Sequence, residues 1–401
     1  MTEKYDVIII GSGINALATL YSILQRRNKK KIAVIAGNAK YEVNKNHPKF
    51  FKDLQNQKKI FSHKIKSVNL SLPGNIGGLI YFWGEQCNIN EKTLAKIKNL
   101  QKYKKFFSNF FELKNNKIFF EKKLKNLRFK LTTPDKAINK KKSTRKFKNF
   151  FEKHSTLFHN EAISINKKYV YLDNKKKIEG KKIFLCAGLI GTINLIKSIK
   201  QNIDFTFKDH SSSIDFVYSN KKISEKVQKR SIYSSVCKVY SDKNKIDIYA
   251  KFYPFRLLEI LFFIGKIKFF LPKIVLNYKF NFKNFYFIQK WNNESIVEYK
   301  LDNVLIKTKN NFDNYNNLNI VYKSLKLVKL FTIKPKFLNF HFHDLNIIEN
   351  KKKIPVNIFL RKNNSKVFCP GLLSQNVINC LPPSFNSFVK TVSQIKNLRN
   401  I

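Results

Sequence analysis

Three groups of residues in this chain have types and spacings suited to chemistry. Gly11-Ser12-Gly13-Ile14-Asn15-Ala16 spells Gly-x-Gly-x-x-Ala directly after the apolar run Tyr5 to Ile10. In that pattern the first glycine permits a tight turn, the second lets the backbone approach a pyrophosphate, and the small Ala16 keeps helix and strand close. The helix that starts there offers free N–H groups and the positive end of its dipole to the phosphates. Gly74-Asn75-Ile76-Gly77-Gly78-Leu79-Ile80-Tyr81-Phe82-Trp83-Gly84 is the densest glycine cluster in a chain with only 12 glycines. Phe340-His341-Phe342-His343 sets two of the seven histidines two residues apart. Imidazole exchanges a proton near neutral pH, although a strand with one buried and one exposed imidazole would read the same way. One expected group is missing. Dinucleotide folds place an acid at the end of the second strand to hold the ribose, and the residues here are Ala36, Gly37 and Asn38. Asn38 can still hydrogen-bond a ribose, more weakly.

These groups require elements to hold them. Tyr5 to Ile10 is too apolar for a half-exposed strand and predicts a buried parallel one. A helix from about Ile14 to Arg27 and a second strand, Ile32 to Ile35, follow. The Lys/Phe-rich stretch 100–150 reads as helix and loop. A hairpin is expected around 157–175, then a buried strand Ile183 to Cys186 ending in Ala187-Gly188, then a helix from Gly191 to Ile199. Alternating patterns dominate from about 211 to 345. Phe385, Phe388, Val389, Val392, Ile395 and Leu398 fall on one face of a closing helix that starts after Pro382-Pro383. The fold class is therefore α/β: a discontinuous Rossmann-type domain with a parallel sheet, and an inserted antiparallel α+β substrate domain. The divisions are 1–210 (with a helical and loop region at 90–155), 211–345 for the substrate domain, and 346–401 for the return to the first domain.

Composition limits the partners. The formal charge is +52. It is almost all Lys and is spread from Lys4 to Lys396, whereas nucleic-acid readers favour clustered Arg for bidentate contacts. No specific nucleic-acid partner follows. An AT-rich coding sequence, or an acidic partner such as a membrane surface or anionic glycan, would each produce this excess. Cys87, Cys186, Cys237, Cys369 and Cys380 are isolated and odd in number, without metal spacing, which predicts free thiols, no metal and a cytoplasmic location. The most apolar stretch, 257–276, contains Glu259, Lys266, Lys268, Lys273 and Pro272. Charges at the centre of a span cost roughly 2.5–3.5 kcal/mol each, so a transmembrane helix is rejected. An interfacial helix remains open beside a helix packed on the second domain.

With these pieces in order, the chain resembles the glucose–methanol–choline family of FAD-dependent oxidoreductases, and more closely its short relatives found with bacterial surface-polysaccharide genes. Gly77 to Gly84 is similar to the family's Gly-Gly-x-Ser-x-x-Trp-Gly loop, with Ile80 in place of Ser and Trp83 on the Trp. Glu161-Ala162-Ile163 resembles the strand whose backbone meets the adenine. Ile183 to Thr192, through Ala187 and Gly188, is similar to its strand-Ala-Gly-turn-helix signature, and Lys208-Asp209-His210 to its crossing between domains. Val367 to Ser384 resembles its final strand, its Gly or Asp at Gly371, and its Asn-Pro-Thr, which puts Pro383 on the Pro and Ser384 on the Thr.

The resemblance implies non-covalent FAD and oxidation of an alcohol or sugar hydroxyl, plausibly in cell-envelope glycan synthesis. It puts His341 on the family's His-x-x-Gly base, with Asp344 on the Gly and His343 as the fallback. Pro382 stands where the family has a second polar group, an Asn or His, and a lost contact of that kind costs roughly 3 kcal/mol in a transition state. Ala36, Ile80 and Pro382 together leave a non-redox or catalytically silent relative as the alternative.

Overall fold

The computed structural model describes residues 2–26, 29–37, 76–78, 97–113, 118–124, 127–132, 140–210, 213–219, 235–240, 246–254, 284–292, 296–301, 306–309, 316–333, 343–371 and 384–398. The chain begins with β1 (Glu3–Ile10), α1 (Ile14–Leu24), β2 (Ile32–Ile35), α2 (Leu100–Phe111), β3 (Ile118–Leu124), β4 (Leu127–Thr132) and α3 (Lys140–His154). There follow β5 (Thr156–Phe158), β6 (Ala162–Asn166), β7 (Tyr169–Leu172), β8 (Lys177–Leu185), α4 (Gly188–Ile199), β9 (Asp204–His210) and β10 (Ser213–Ser219). Next are β11 (Ser235–Tyr240), β12 (Ile246–Pro254), β13 (Phe285–Asn292), β14 (Ile296–Leu301), β15 (Ile306–Lys309), α5 (Asn316–Ser324) and β16 (Leu327–Ile333). The described chain closes with β17 (His343–Glu349), β18 (Lys352–Pro355), α6 (Val356–Asn363), β19 (Val367–Phe368) and α7 (Ser384–Lys396).

The first sheet is mixed. Strands β5, β2, β1 and β8 lie side by side and parallel, with Ile10 opposite both Ile35 and Leu185. β19 extends the parallel set along the C-terminal half of β8, while β7 and then β6 pair antiparallel along its N-terminal half. Both faces are covered. Val7 and Ile9 point into a core with α1, α2, α3 and α7, and Ile8 and Ile10 into a core with α4, α6, β9 and β17. That is why β1 is apolar at consecutive positions instead of alternating. The phenylalanines of the 100–150 stretch find their place here: Phe107, Phe111, Phe147 and Phe151 are buried beside Phe385 and Phe388.

The second sheet has seven antiparallel strands in the order β16-β10-β13-β12-β11-β4-β3, and α5 packs Leu318, Val321 and Tyr322 on one of its faces. The third has five, β15-β14-β9-β17-β18. The hairpin β3–β4 corrects part of the helix-and-loop expectation for 100–150. Leu127, Phe129 and Leu131 alternate inward, and β4 pairs with β11, over a hundred residues away. The first helix ends at Leu24, short of Arg27, and Arg26 donates to the carbonyls of Ile395 and Leu398 at 2.7 and 2.9 Å. One guanidinium thus satisfies the last carbonyls of α7 and ties it to α1. No helix among the described residues is long and apolar enough to cross a membrane, and 257–276 lies outside them.

Candidate functional site

Four segments distant in sequence converge on the start of α1. Gly11 N–H donates to Ile35 O at 2.8 Å, and Cys186 N–H donates to Ile10 O at 2.7 Å, so the ends of β1, β2 and β8 meet. Gly11 has φ +113°, and a Cβ there would lie 2.2 Å from Cys186 O. Only glycine fits between the two strands. Gly77 N–H donates to Ser12 O at 2.8 Å, and a Cβ on Gly78 would come 3.3 Å from Gly13 Cα. The Gly77-Gly78 pair therefore lies directly on the turn that opens α1.

The fourth segment is the C-terminal return. Gly371 stands over the side chain of Asn15, and its N–H donates to Gln394 Oε1 at 3.0 Å. Thr391, on α7, donates to Asn15 Oδ1 at 3.2 Å. Ile14 and Ala16 are buried in the core beneath the turn, and Ala16 has no exposure at all, which lets α1 lie close to the sheet. Ala187 caps α4, and Gly188 begins it with φ +70°.

The electrostatics favour an anion at this point. Gly13 is the N-cap of α1 and supplies no side chain, and the first turn carries no acidic residue. Among the described residues no side chain caps the amides at that end and no first-turn acid opposes the dipole. A Cβ on Gly13 would make ordinary van der Waals contact with Gly77 O at 3.8 Å and Gly78 Cα at 3.9 Å, so a side chain there is not excluded by its described neighbours. Backbone N–H groups at a helix N-terminus, beside two glycines, are of the kind that can receive an anion. The Cys186 thiol, 3.5 Å from Thr19 Oγ1, is buried, and burial pushes it up to about 12, which favours the protonated form.

Other expected positions lie around this centre with less detail. Ile163 sits in β6 where the register with β7 shifts between Ala162 and Ser164, so its backbone stands apart from the ladder. Ser384 is the first residue of α7. His343 begins β17 opposite Lys208 on β9. Asp344 follows at φ +52° in a register shift, with Lys208 Nζ 3.0 Å from its Oδ2. The conformation glycine favours thus occurs where the resemblance puts a Gly, and Asp tolerates it better than most residues. Asp344 is buried, and its Oδ1 has no hydrogen-bond partner among the described residues. Lys390 on α7 is pushed down to about 8 by burial, partly offset by the Asp344 carboxylate. Asn38, Trp83, His341 and Pro383 lie outside the described residues.

Thr391, Gln394 and Arg26 were missed by reading the sequence. The first two are polar positions on a helix whose apolar face drew attention, and only their partners Asn15 and Gly371 mark them. Among the described residues no group of three or more His, Cys, Asp or Glu side chains is placed to hold a metal.

No protein-family model matches the chain, and no curated protein matches it. Among solved structures it superposes on pyridoxine 4-oxidase from Mesorbium loti with a TM-score of 0.54, over 99% of each chain, at 9% identity. The chain has the fold of pyridoxine 4-oxidase. A second structure, AlpK, is matched at a TM-score of 0.39 and 9% identity, over 98% of this chain and 61% of AlpK.

Proposed function

We propose that this protein is an FAD-dependent oxidoreductase acting on an alcohol or sugar hydroxyl. The observation that carries the reading is the convergence of Gly11–Gly13, Gly77–Gly78, Ala187–Gly188 and Gly371 around the uncapped start of α1. The parallel order β5-β2-β1-β8-β19 supports a Rossmann-type domain, with the cradle at the carboxyl ends of its strands. The fold shared with an oxidase over the full chain supports the reaction class.

Bound FAD supplies a two-electron acceptor for the hydride of the carbinol carbon. The chain's own residues have separate tasks. Gly11, Gly13 and the first amides of α1 hold the pyrophosphate, with Asn15 fixed beside them by Thr391. The backbone at Ile163 would hold the adenine, and Asn38 would take the ribose in place of the missing acid at Ala36. Gly77, Gly78 and Trp83 would hold the flavin ring, and Ser384 at the start of α7, with Pro383 before it, would favour the negative charge of its reduced form through the helix dipole. His341 accepts the hydroxyl proton, with His343 as the alternative base. We assign the substrate to the seven-stranded sheet, and the pathway to cell-envelope glycan synthesis on the cytoplasmic side, with peripheral membrane contact through 257–276.

Purified protein decides the matter. A flavin absorbance that bleaches anaerobically with an alcohol supports the oxidoreductase, and His341→Ala should slow that bleaching more than His343→Ala. A catalytically silent relative is the second reading, favoured by Ala36, Ile80 and Pro382 in place of polar residues. Colourless, folded protein that takes up no added FAD would establish it.

A further inference from the structure

Large apolar side chains are exposed at eight positions among the described residues, and three of them lie within one short run of β16. Val328, Leu330 and Phe331 are 54%, 50% and 44% exposed. Apolar residues scattered singly over a surface are ordinary, but a cluster is not. The register of the strand accounts for its shape. Val217 points to the α5 side of the sheet, so its neighbours Phe216 and Tyr218, with their partners Phe331 and Val328, lie on the other face. The register shifts between Phe216 and Val217, and Leu330 is the extra residue, with no pair on β10. Edge strands are usually blunted by charge at such a bulge, and here the extra residue is a leucine. The apolar surface continues inward from the strand. Phe216 lies 5.0 Å from Phe331 and 5.4 Å from Phe285 between ring centres, and Tyr218 lies 5.1 Å from Phe285.

The charge beside this patch has one sign. Lys323 in the last turn of α5, Lys326 in the turn that follows and Lys329 within β16 are all exposed. The sequence has no Asp or Glu between Asp313 and Asp344, and that stretch also contains Lys334 and Lys336. Exposed apolar side chains flanked by lysine match a lipid surface, where the apolar groups enter the acyl boundary and the cations meet anionic headgroups. A nucleic acid would match the lysines and leave Val328, Leu330 and Phe331 in water. A second copy of the same surface would cover the apolar residues but bring like charges together.

We propose that β16 and the turn before it seat this protein on an anionic lipid surface. Val328, Leu330 and Phe331 enter the acyl boundary, and Lys323, Lys326 and Lys329 lie at the headgroups. This contact depends neither on the oxidoreductase reading nor on residues 257–276.

Flotation of the full chain with phosphatidylcholine vesicles, with and without phosphatidylserine, tests this at physiological salt. Binding is expected on the anionic vesicles and should fall as salt rises. Val328→Ser, Leu330→Ser and Phe331→Ser combined should weaken it on the order of tenfold or more, because the apolar area is lost. Each lysine near an anionic surface strengthens partitioning about fivefold. Lys323→Gln, Lys326→Gln and Lys329→Gln combined should therefore weaken binding well beyond a control set, Lys175→Gln, Lys176→Gln and Lys351→Gln, exposed elsewhere. No flotation of the wild type overturns the proposal, and so does equal flotation of the wild type and the triple Ser variant. Equal losses from the two lysine sets would leave only general attraction and overturn it as well. Should the triple Ser variant fail to fold, Leu330→Trp gives a second reading. Its added fluorescence should shift to the blue on anionic vesicles, and binding without that shift overturns the proposal. Phe262→Ser with Phe263→Ser, which tests contact through 257–276, should leave the Leu330→Trp shift in place. A dimer in sedimentation that the triple Ser variant breaks and anionic vesicles do not compete away would assign the patch to a second copy instead.

Discussion

Gly371 lies so close to Asn15 that a Cβ on it would come 2.3 Å from Asn15 Nδ2. The two residues are more than 350 positions apart, and their contact locks the C-terminal return onto the helix that opens the cradle. Gly371 also has φ +91°, which L side chains rarely adopt. Gly371→Ala should therefore cost about 1–3 kcal/mol in backbone strain, and more where Asn15 is displaced from Thr391. Urea unfolding measures the loss, and flavin fluorescence should show weaker FAD retention. Adding Asn15→Gly should recover part of the stability, because it removes the obstructing side chain. No recovery would mean that strain alone sets the cost.

Gly11 and Gly13 should respond differently. Gly11→Ala drives a Cβ to 2.2 Å from Cys186 O, so the junction of β1 and β8 must open, and we expect a loss above about 4 kcal/mol or no soluble protein. Gly13→Val meets no neighbour within 3.8 Å at its Cβ and has φ −85°. Its stability should fall by only about 1 kcal/mol, while FAD uptake is lost because the side chain occupies the phosphate space. Thermal unfolding and FAD titration of both variants check the contrast. A Gly13→Val protein that still takes up FAD like the wild type would remove the pyrophosphate from this turn.

The buried network on the α5 face makes a prediction about stability alone. Asp215→Ala removes the carboxylate shared by the buried Lys290, Tyr322 and Thr332, and should cost about 3–5 kcal/mol. The double variant Asp215→Leu with Lys290→Met should lose less than the single variant, since it removes both charges although Tyr322 still loses its acceptor. Chemical denaturation of the two proteins measures the difference.

Lys251 should tie stability to pH. Its folded value of about 7 lies below the ordinary 10.5, so between these limits the unfolded chain binds more protons than the folded one. Stability should then rise with pH through that window by up to about 1.4 kcal/mol per unit. The advantage of Lys251→Met over wild type should be greatest below pH 7 and close towards pH 10. A difference that stays constant from pH 7 to 10 would contradict it.

The elements around the Gly11–Gly13 turn were legible because their signals are local. Strand, turn, helix and second strand lie within Glu3–Ile35, and each follows from burial period and glycine placement within its own segment. The hairpin β3–β4 was read as helix and loop because its strands alternate over six or seven residues in a Lys/Phe-rich stretch, and the partner that selects the extended form, β11, is remote in sequence. The positive φ at Asp344 was similarly hidden, since Asp adopts either sign.

The sequence by itself determined where the chain turns tightly, which segments are apolar on both sides and which helix face is buried, because those follow from neighbours along the chain. It also set a charge of +52. It could not distinguish one lysine from another. Lys181 sits on the surface beside Asp6, Lys290 is buried against Asp215, and Lys251 is buried against Trp291. Only the tertiary structure decided among these, because the free energy of a charge depends on the solvent and partners around it, and strand pairing brings those together from opposite ends of the sequence.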